Sequence, residues 1–93
     1  MITSFASRET LRIWEGGHSR RLPGEIQASA MRKLRSLDAA EEVADLRMPP
    51  GNRLEALHGD REGQHSMRIN QQWRICFRWI DGHAYDVEIC DYQ

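Results

Sequence analysis

Several absences narrow the reading of this 93-residue chain before any motif is considered. It has only two cysteines, Cys76 and Cys90, with no CxxC and no Cys/His cluster, so the pattern offers no zinc ligand set. It has no long hydrophobic run: nothing in the first twenty residues suits a signal peptide, and no stretch approaches a membrane span. The expectation is a cytoplasmic protein with no membrane partner, carrying two free thiols rather than a disulfide. Repeats, low-complexity tracts and linkers are missing too, which predicts one domain over residues 1–93 with a single small core. An excess of either charge is also absent, the formal net charge being −1.

What is present is a folded composition, 40% hydrophobic with three tryptophans, and a segregated charge pattern. Residues 1–35 carry seven Lys/Arg against three Asp/Glu, and residues 36–45 carry four acids and no base. Residues 46–80 carry six Arg against three acids, and 81–93 carry four acids alone. Such a chain can present a basic face to nucleic acid, although a frankly basic domain would be a stronger sign.

The opening "ITSF" reads as a short strand. Ser7 is placed to cap a helix through "RETLRIWE", stopped by Gly16-Gly17, with Leu11 and Trp14 expected in the core. A second helix begins near Pro23 and runs through "EIQASAMRKLRSL", where Ile26, Ala30, Leu34 and Leu37 form one apolar stripe. Asp38 with Glu41 resembles a capping box around a short helix, "AAEEVADL", and "PPG" at 49–51 breaks any helix. The remainder is rich in aromatic and β-branched residues between turn-like segments, which predicts three or four antiparallel strands. The fold class is therefore α+β, an antiparallel sheet of about four to five strands with two main N-terminal helices packed on one face.

Register decides which side chains share a face. A three-residue loop from Asn70 to Gln72 pairs Ile69 with Trp73, Met67 with Ile75 and His65 with Phe77, and buries one apolar face coherently. A three-residue loop at Asp81–His83 pairs Trp79 with Tyr85, Phe77 with Val87 and Ile75 with Ile89. The opposite face then sets Arg78 against Asp86, Cys76 against Glu88, and Arg68 against Arg74 beside Cys90. Like charges directly across a sheet are destabilising, and on this reading nothing faces Arg68 or Arg74 to neutralise them. Two readings stay open. One is a phosphate or nucleic-acid site, which Arg suits through bidentate hydrogen bonding, and the other is solvated surface arginines.

The stretch "LHGDREGQHSMRINQQWRICF", followed by "VEICDYQ" at the chain end, resembles the HigB toxins of the RelE/ParE superfamily of bacterial toxin–antitoxin systems. The likeness extends over essentially the whole chain, including "PPGNRLEAL" and the strand–helix–helix opening. It implies a RelE-like, microbial-RNase-like fold and a ribosome-dependent endoribonuclease that cuts mRNA with no metal or other cofactor. The implied partners are the mRNA-loaded ribosome and a HigA-type helix-turn-helix antitoxin, with operator DNA reached only through that antitoxin. Carried over residue by residue, Arg68 and Arg74 match charge stabilisers on the two central strands. Asp91 and Tyr92 match a terminal Asp-Tyr that positions RNA or moves a proton.

Where many relatives end in His, this chain has Gln93, which can position a phosphate or ribose but cannot shuttle a proton near neutral pH. His58, just before the GDREG loop, is the candidate substitute, against the reading of a plain surface histidine. Gly59 and Gly63 are expected to shape that loop with Asp60 capping it. Arg61, Arg53 and Arg78 are candidate RNA or ribosome contacts, with local ion pairing as the other reading for Arg61. His65 is expected to be structural. Two further functions stand beside the nuclease: a weakly active or inactive homologue working as an antitoxin-binding module in operator autoregulation, and a ParE-like inhibitor of DNA gyrase.

Overall fold

The structure is a computed structural model that describes residues 1–91. Helix α1 spans Arg8–Trp14, and its first turn is closed by Ser7, whose hydroxyl accepts from Thr10 N at 3.2 Å. Its buried residues are Thr10 and Ile13; Leu11, expected in the core, is exposed, and Trp14 only packs against the core's edge. The helix is short, so a one-residue rotation of its apolar stripe was not readable from spacing. Helix α2 spans Gly24–Ala39 and buries the expected stripe of Ile26, Ala30, Leu34 and Leu37. Gln27 adds a buried clamp on the connection between the helices, exchanging hydrogen bonds with the Ser19 backbone and donating to Leu22 O.

Asp38 belongs to α2 and opens no new helix. Its carboxylate accepts from Ile2 N at 2.8 Å, tying the N-terminal segment to the helix. The following turn, a 3₁₀ helix over Val43–Arg47, is instead held by Asp45, which accepts from the backbones of Glu41 and Glu42. Asn52, fully buried, then fixes the approach to the sheet: it donates to Leu46 O and Met48 O and accepts from Lys33. Burial of the Lys33 ammonium, with Arg32 beside it, lowers its pKa.

The sheet has the order β1-β2-β3-β4, with β1 at Glu55–Ala56, β2 at Gln64–Arg68, β3 at Trp73–Ile80 and β4 at His83–Asp91, each pair antiparallel. The opening segment runs parallel to β4 through bridges Ile2–Ala84 and Phe5–Val87. The β2–β3 hairpin has the expected register: His65 faces Phe77, Met67 faces Ile75, and Ile69 N donates to Trp73 O at 2.8 Å. The loop is held by the Asn70 side chain, whose oxygen accepts from both Gln72 N and Trp73 N.

The β3–β4 hairpin differs from expectation at its tip. Asp81 and Gly82 both have positive φ, 50° and 83°, and form a two-residue turn that pairs Ile80 with His83 and Trp79 with Ala84. Asp-Gly is the strongest short-range signal for that turn, because its twist matches the strands. The shorter turn puts Ala84 rather than Tyr85 opposite Trp79. A bulge then absorbs the extra residue between Cys76 and Arg78, with Asp86 at φ 53°, and the expected register resumes at Cys76–Glu88, Ile75–Ile89 and Arg74–Cys90. Arg78 still reaches Asp86, at 3.4 Å.

Met67, Ile75, Phe77, Val87 and Ile89 close the core against both helices, with Ile69 and Trp79 partly buried at its margin. His65 is structural as expected, its ring stacked on Phe77 at 6.0 Å. Thr10 joins the layers, its hydroxyl oxygen accepting from Ile89 N at 2.9 Å inside the core. Thr10→Val keeps the shape but strands that N–H. It should cost about 1–3 kcal/mol in urea unfolding, and an unchanged midpoint would show that the bond is dispensable.

Candidate nucleic-acid cleft

The face of the sheet turned away from the helices carries Arg68 and Ser66 from β2, Arg74, Cys76 and Arg78 from β3, and Glu88 and Cys90 from β4. Strand β1 and the GDREG loop form a rim along it. Gly59 and Gly63 have positive φ, 66° and 90°, as a tight loop requires. At Gly63 a Cβ would meet Arg78 Nη1 at 3.0 Å, so a side chain there crowds the arginine. Asp60 does not cap this loop: it sits inside the 3₁₀ turn Gly59–Arg61, which has no side-chain cap.

Arg68 and Arg74 do face each other. The expectation that neither is neutralised does not hold for Arg74. It is only 5% exposed, its Nη2 donates to Arg53 O at 3.1 Å, and its Nη1 lies 3.5 Å from the Glu55 carboxylate. Arg53 adopts the left-handed conformation, φ 44°, where it leads into β1. Arg68 is half-buried, and its Nε donates to Asn70 O at 3.0 Å. Removing Arg74 therefore takes out a joint between β3 and the β1 rim.

Two depressions share this surface. The smaller, about 170 Å³, is lined by Arg53, Arg68, Arg74, Asn70, Gln71 and Glu55, three guanidiniums against one carboxylate. The larger, about 470 Å³, is bounded by the rim from Glu55 to His58, by Asp60 and Arg61, and by Ser66, Cys76, Cys90 and Asp91 on the sheet. Its charge balance is acidic, that of the smaller pocket basic, so an anionic group is favoured in the smaller one. Glu55 lies on the wall common to both. Among the described residues no group of three or more His, Cys, Asp or Glu is placed to hold a metal ion.

The candidate residues thus fall into two groups. Arg53, Arg68 and Arg74 meet in the basic pocket, while His58, Arg61 and Asp91 line the larger cleft. Arg61 is engaged across that cleft, with Nη1 2.9 Å from Glu88 and 3.0 Å from Gln64, and not with Asp60 or Glu62. The hydrogen bond to Glu88, the neighbouring thiols and the Glu88 charge raise its pKa against a desolvation cost. Asp91, opposite Trp73, accepts from Gln72 Nε2 at 3.0 Å. Arg78 lies outside both depressions, and Tyr92 and Gln93 lie outside the described residues. Sequence reasoning missed Glu55, since the long connection from β1 to β2 hides the register that sets Glu55 opposite Ser66.

With 10% identity and a TM-score of 0.56, E. coli YafQ superposes on 99% of this chain and 94% of its own. Staphylococcus aureus YoeB, solved in complex with YefM, gives a TM-score of 0.62 at 17% identity, covering 100% of this chain and 98% of that one. The fold is that of the RelE-like toxins. Residues 3–92 match the family model described as RelE-like toxin of type II toxin-antitoxin system HigB. Toxin HigB-1 of Vibrio cholerae is 49% identical over 88 residues, 94% of this chain and 93% of the relative. Endoribonuclease HigB of Proteus vulgaris is 33% identical over the full length of both. The chain belongs to the HigB-like toxin family.

Since Arg74 is a buried joint and Arg68 is not, their alanine variants should separate in stability. Arg74→Ala is expected to lose about 1–3 kcal/mol in urea unfolding, and Arg68→Ala less than about 0.5 kcal/mol. Equal losses would show that the Arg53–Glu55 joint carries no load.

Proposed function

We propose that the protein is a ribosome-dependent endoribonuclease that cleaves mRNA and arrests translation. The observation that carries this reading is the pocket of three arginines beside a nucleoside-sized cleft, with Glu55 on their common wall. Cleavage transfers a phosphoryl group from the 5′-oxygen of one nucleotide to the neighbouring 2′-hydroxyl. Arg68 and Arg53 hold the phosphate, and Arg74 holds the pocket's shape while its guanidinium stabilises the charge that builds on phosphorus. Two groups that line the larger cleft serve this reading as proton movers, the Glu55 carboxylate as acceptor and the His58 imidazole as acceptor or donor. Asp91 lines the larger cleft, and the family likeness adds Tyr92 and Gln93 as further candidates, Gln93 as a group that can position substrate without titrating.

Membership of a type II toxin family supports an antitoxin partner. The reading extends to a HigA-type helix-turn-helix protein that carries the toxin to operator DNA. The ribosome supplies the ordered mRNA that a cleft of this size could not select alone. The cytoplasm is the compartment this substrate requires, and no helix among the described residues is long and apolar enough to cross a membrane.

Purified protein on programmed ribosomes should release mRNA fragments, and Arg68→Ala should slow release about a hundredfold while leaving folding intact. Inhibition of gyrase supercoiling without mRNA cleavage would overturn the reading in favour of a ParE-like target. Gln93 sets a second test. If a non-titrating terminus limits the rate, Gln93→His raises cleavage, by about tenfold or more for a restored general acid or base. An unchanged rate in that variant assigns the proton transfers to the Glu55–His58 wall.

A further inference from the structure

Ser66 stands where alanine would serve the fold better. It is fully buried in β2, it lines the larger cleft, and its hydroxyl has no hydrogen-bond partner among the described residues. A buried hydroxyl left unpaired destabilises a fold, so its presence asks for a reason outside the fold. Register sets Ser66 between Glu55 on β1 and Cys76 on β3, all on the cleft face. The thiol is a weak partner for a hydroxyl, and the carboxylate a strong one. Residues directly opposite on a sheet have Cβ atoms about 4.5–5.5 Å apart. The Glu55 carboxylate, on its longer side chain, can therefore reach the Ser66 hydroxyl by side-chain rotation alone.

In this structure Glu55 is turned the other way. Its carboxylate lies 3.5 Å from Arg74 Nη1, a long contact, and its side chain is 47% exposed. Glu55 lines both depressions, so it can face either. A phosphate seated among Arg53, Arg68 and Arg74 brings a second anion against that carboxylate and competes with it for the Arg74 guanidinium. On the cleft side Asp60 and Asp91 repel it, and Arg61 is already held by Glu88 at 2.9 Å. Ser66 is the neutral donor directly across the strand pair. A hydroxyl also suits a group that gains a proton. It donates to a carboxylate and accepts from a carboxylic acid, so the bond survives the transfer.

We propose that Ser66 is the positioning residue for Glu55. When an RNA phosphate occupies the arginine pocket, the Ser66 hydroxyl takes the displaced carboxylate and holds it toward the larger cleft. This role rests on the nuclease reading, with Glu55 as its proton acceptor. The 2′-hydroxyl proton passes to Glu55 while the 2′-oxygen bonds to phosphorus. The bond from phosphorus to the 5′-oxygen breaks, and that oxygen leaves with a proton from His58 or water. Ser66 itself touches no RNA, so it acts on the rate of the chemical step and not on capture of the substrate.

The test compares wild type, Ser66→Ala, Glu55→Gln and the double variant in single-turnover cleavage on programmed ribosomes. Varying the protein concentration separates the maximal rate from the half-saturating concentration. Ser66→Ala should unfold at a urea midpoint no lower than wild type, since it removes an unpaired buried hydroxyl. Its maximal rate should fall about ten- to a hundredfold, the weight of one hydrogen bond to a charged group, with half-saturation unchanged. In the Glu55→Gln background Ser66→Ala should cost nothing further. Ser66→Thr and Ser66→Val share one shape and crowd the site equally, so only the first, which keeps the hydroxyl, should retain rate over the other. A wild-type rate in Ser66→Ala overturns the proposal, as does a rate loss matched by lost stability. Full additivity in the double variant, or equal rates for the threonine and valine replacements, overturns it too. A wild-type protein that releases no mRNA fragments overturns the nuclease reading, and this role falls with it.

Discussion

The joint between Arg74 and the β1 rim is the constraint on which the candidate site depends. Two arginines directly opposed on a sheet repel, and burial of one would make matters worse without partners. Here the Arg53 carbonyl and the Glu55 carboxylate take up the buried Arg74 guanidinium. The same contacts draw residues 53–55 over the end of the sheet and so build the wall of the basic pocket. Arg68, with one backbone acceptor among the described residues, is then left at the pocket's edge with donor capacity to spare. One interaction thus makes the like-charge pair tolerable and shapes the place where a phosphate fits.

The loops serve that joint. Asn52 anchors the segment that delivers Arg53, with Lys33 of α2 holding its other side. Arg61 spans from the GDREG loop to Glu88 and fixes the far side of the larger cleft. Among the described residues, neither helix lines either depression. They supply the core that keeps β2, β3 and β4 in register, and Thr10 couples α1 to β4 within it.

Much of this was legible in the sequence, and for stated reasons. The β2–β3 register follows from one requirement, that Met67, Ile69, Ile75 and Phe77 share a buried face, and a slip of one residue would have exposed them all. The α2 stripe was readable because four turns of helix give the period room to show. The tip of the β3–β4 hairpin was misread because pairing Trp79 with Tyr85 favoured a longer loop than Asp81-Gly82 allows, and a bulge restores the register two residues later. Arg74's partners were not legible at all: they come from β1 and the residue leading into it, whose pairing with β2 is separated from it by a loop with no periodic pattern. Glu55 was lost for the same reason. The likeness carried by "GDREGQHSMRINQQWRICF" identified the family without needing that geometry.

The central claim is that the arginine pocket seats a phosphodiester while the adjoining 2′-hydroxyl attacks it. The measurement closest to it is the chemistry of the ends left on a defined mRNA cut on programmed ribosomes. The account predicts a 2′,3′-cyclic phosphate on the upstream fragment, a 5′-hydroxyl on the downstream one, and no cut where the scissile nucleotide is 2′-deoxy. A 5′-phosphate on the downstream fragment, or cleavage at the 2′-deoxy position, would contradict it.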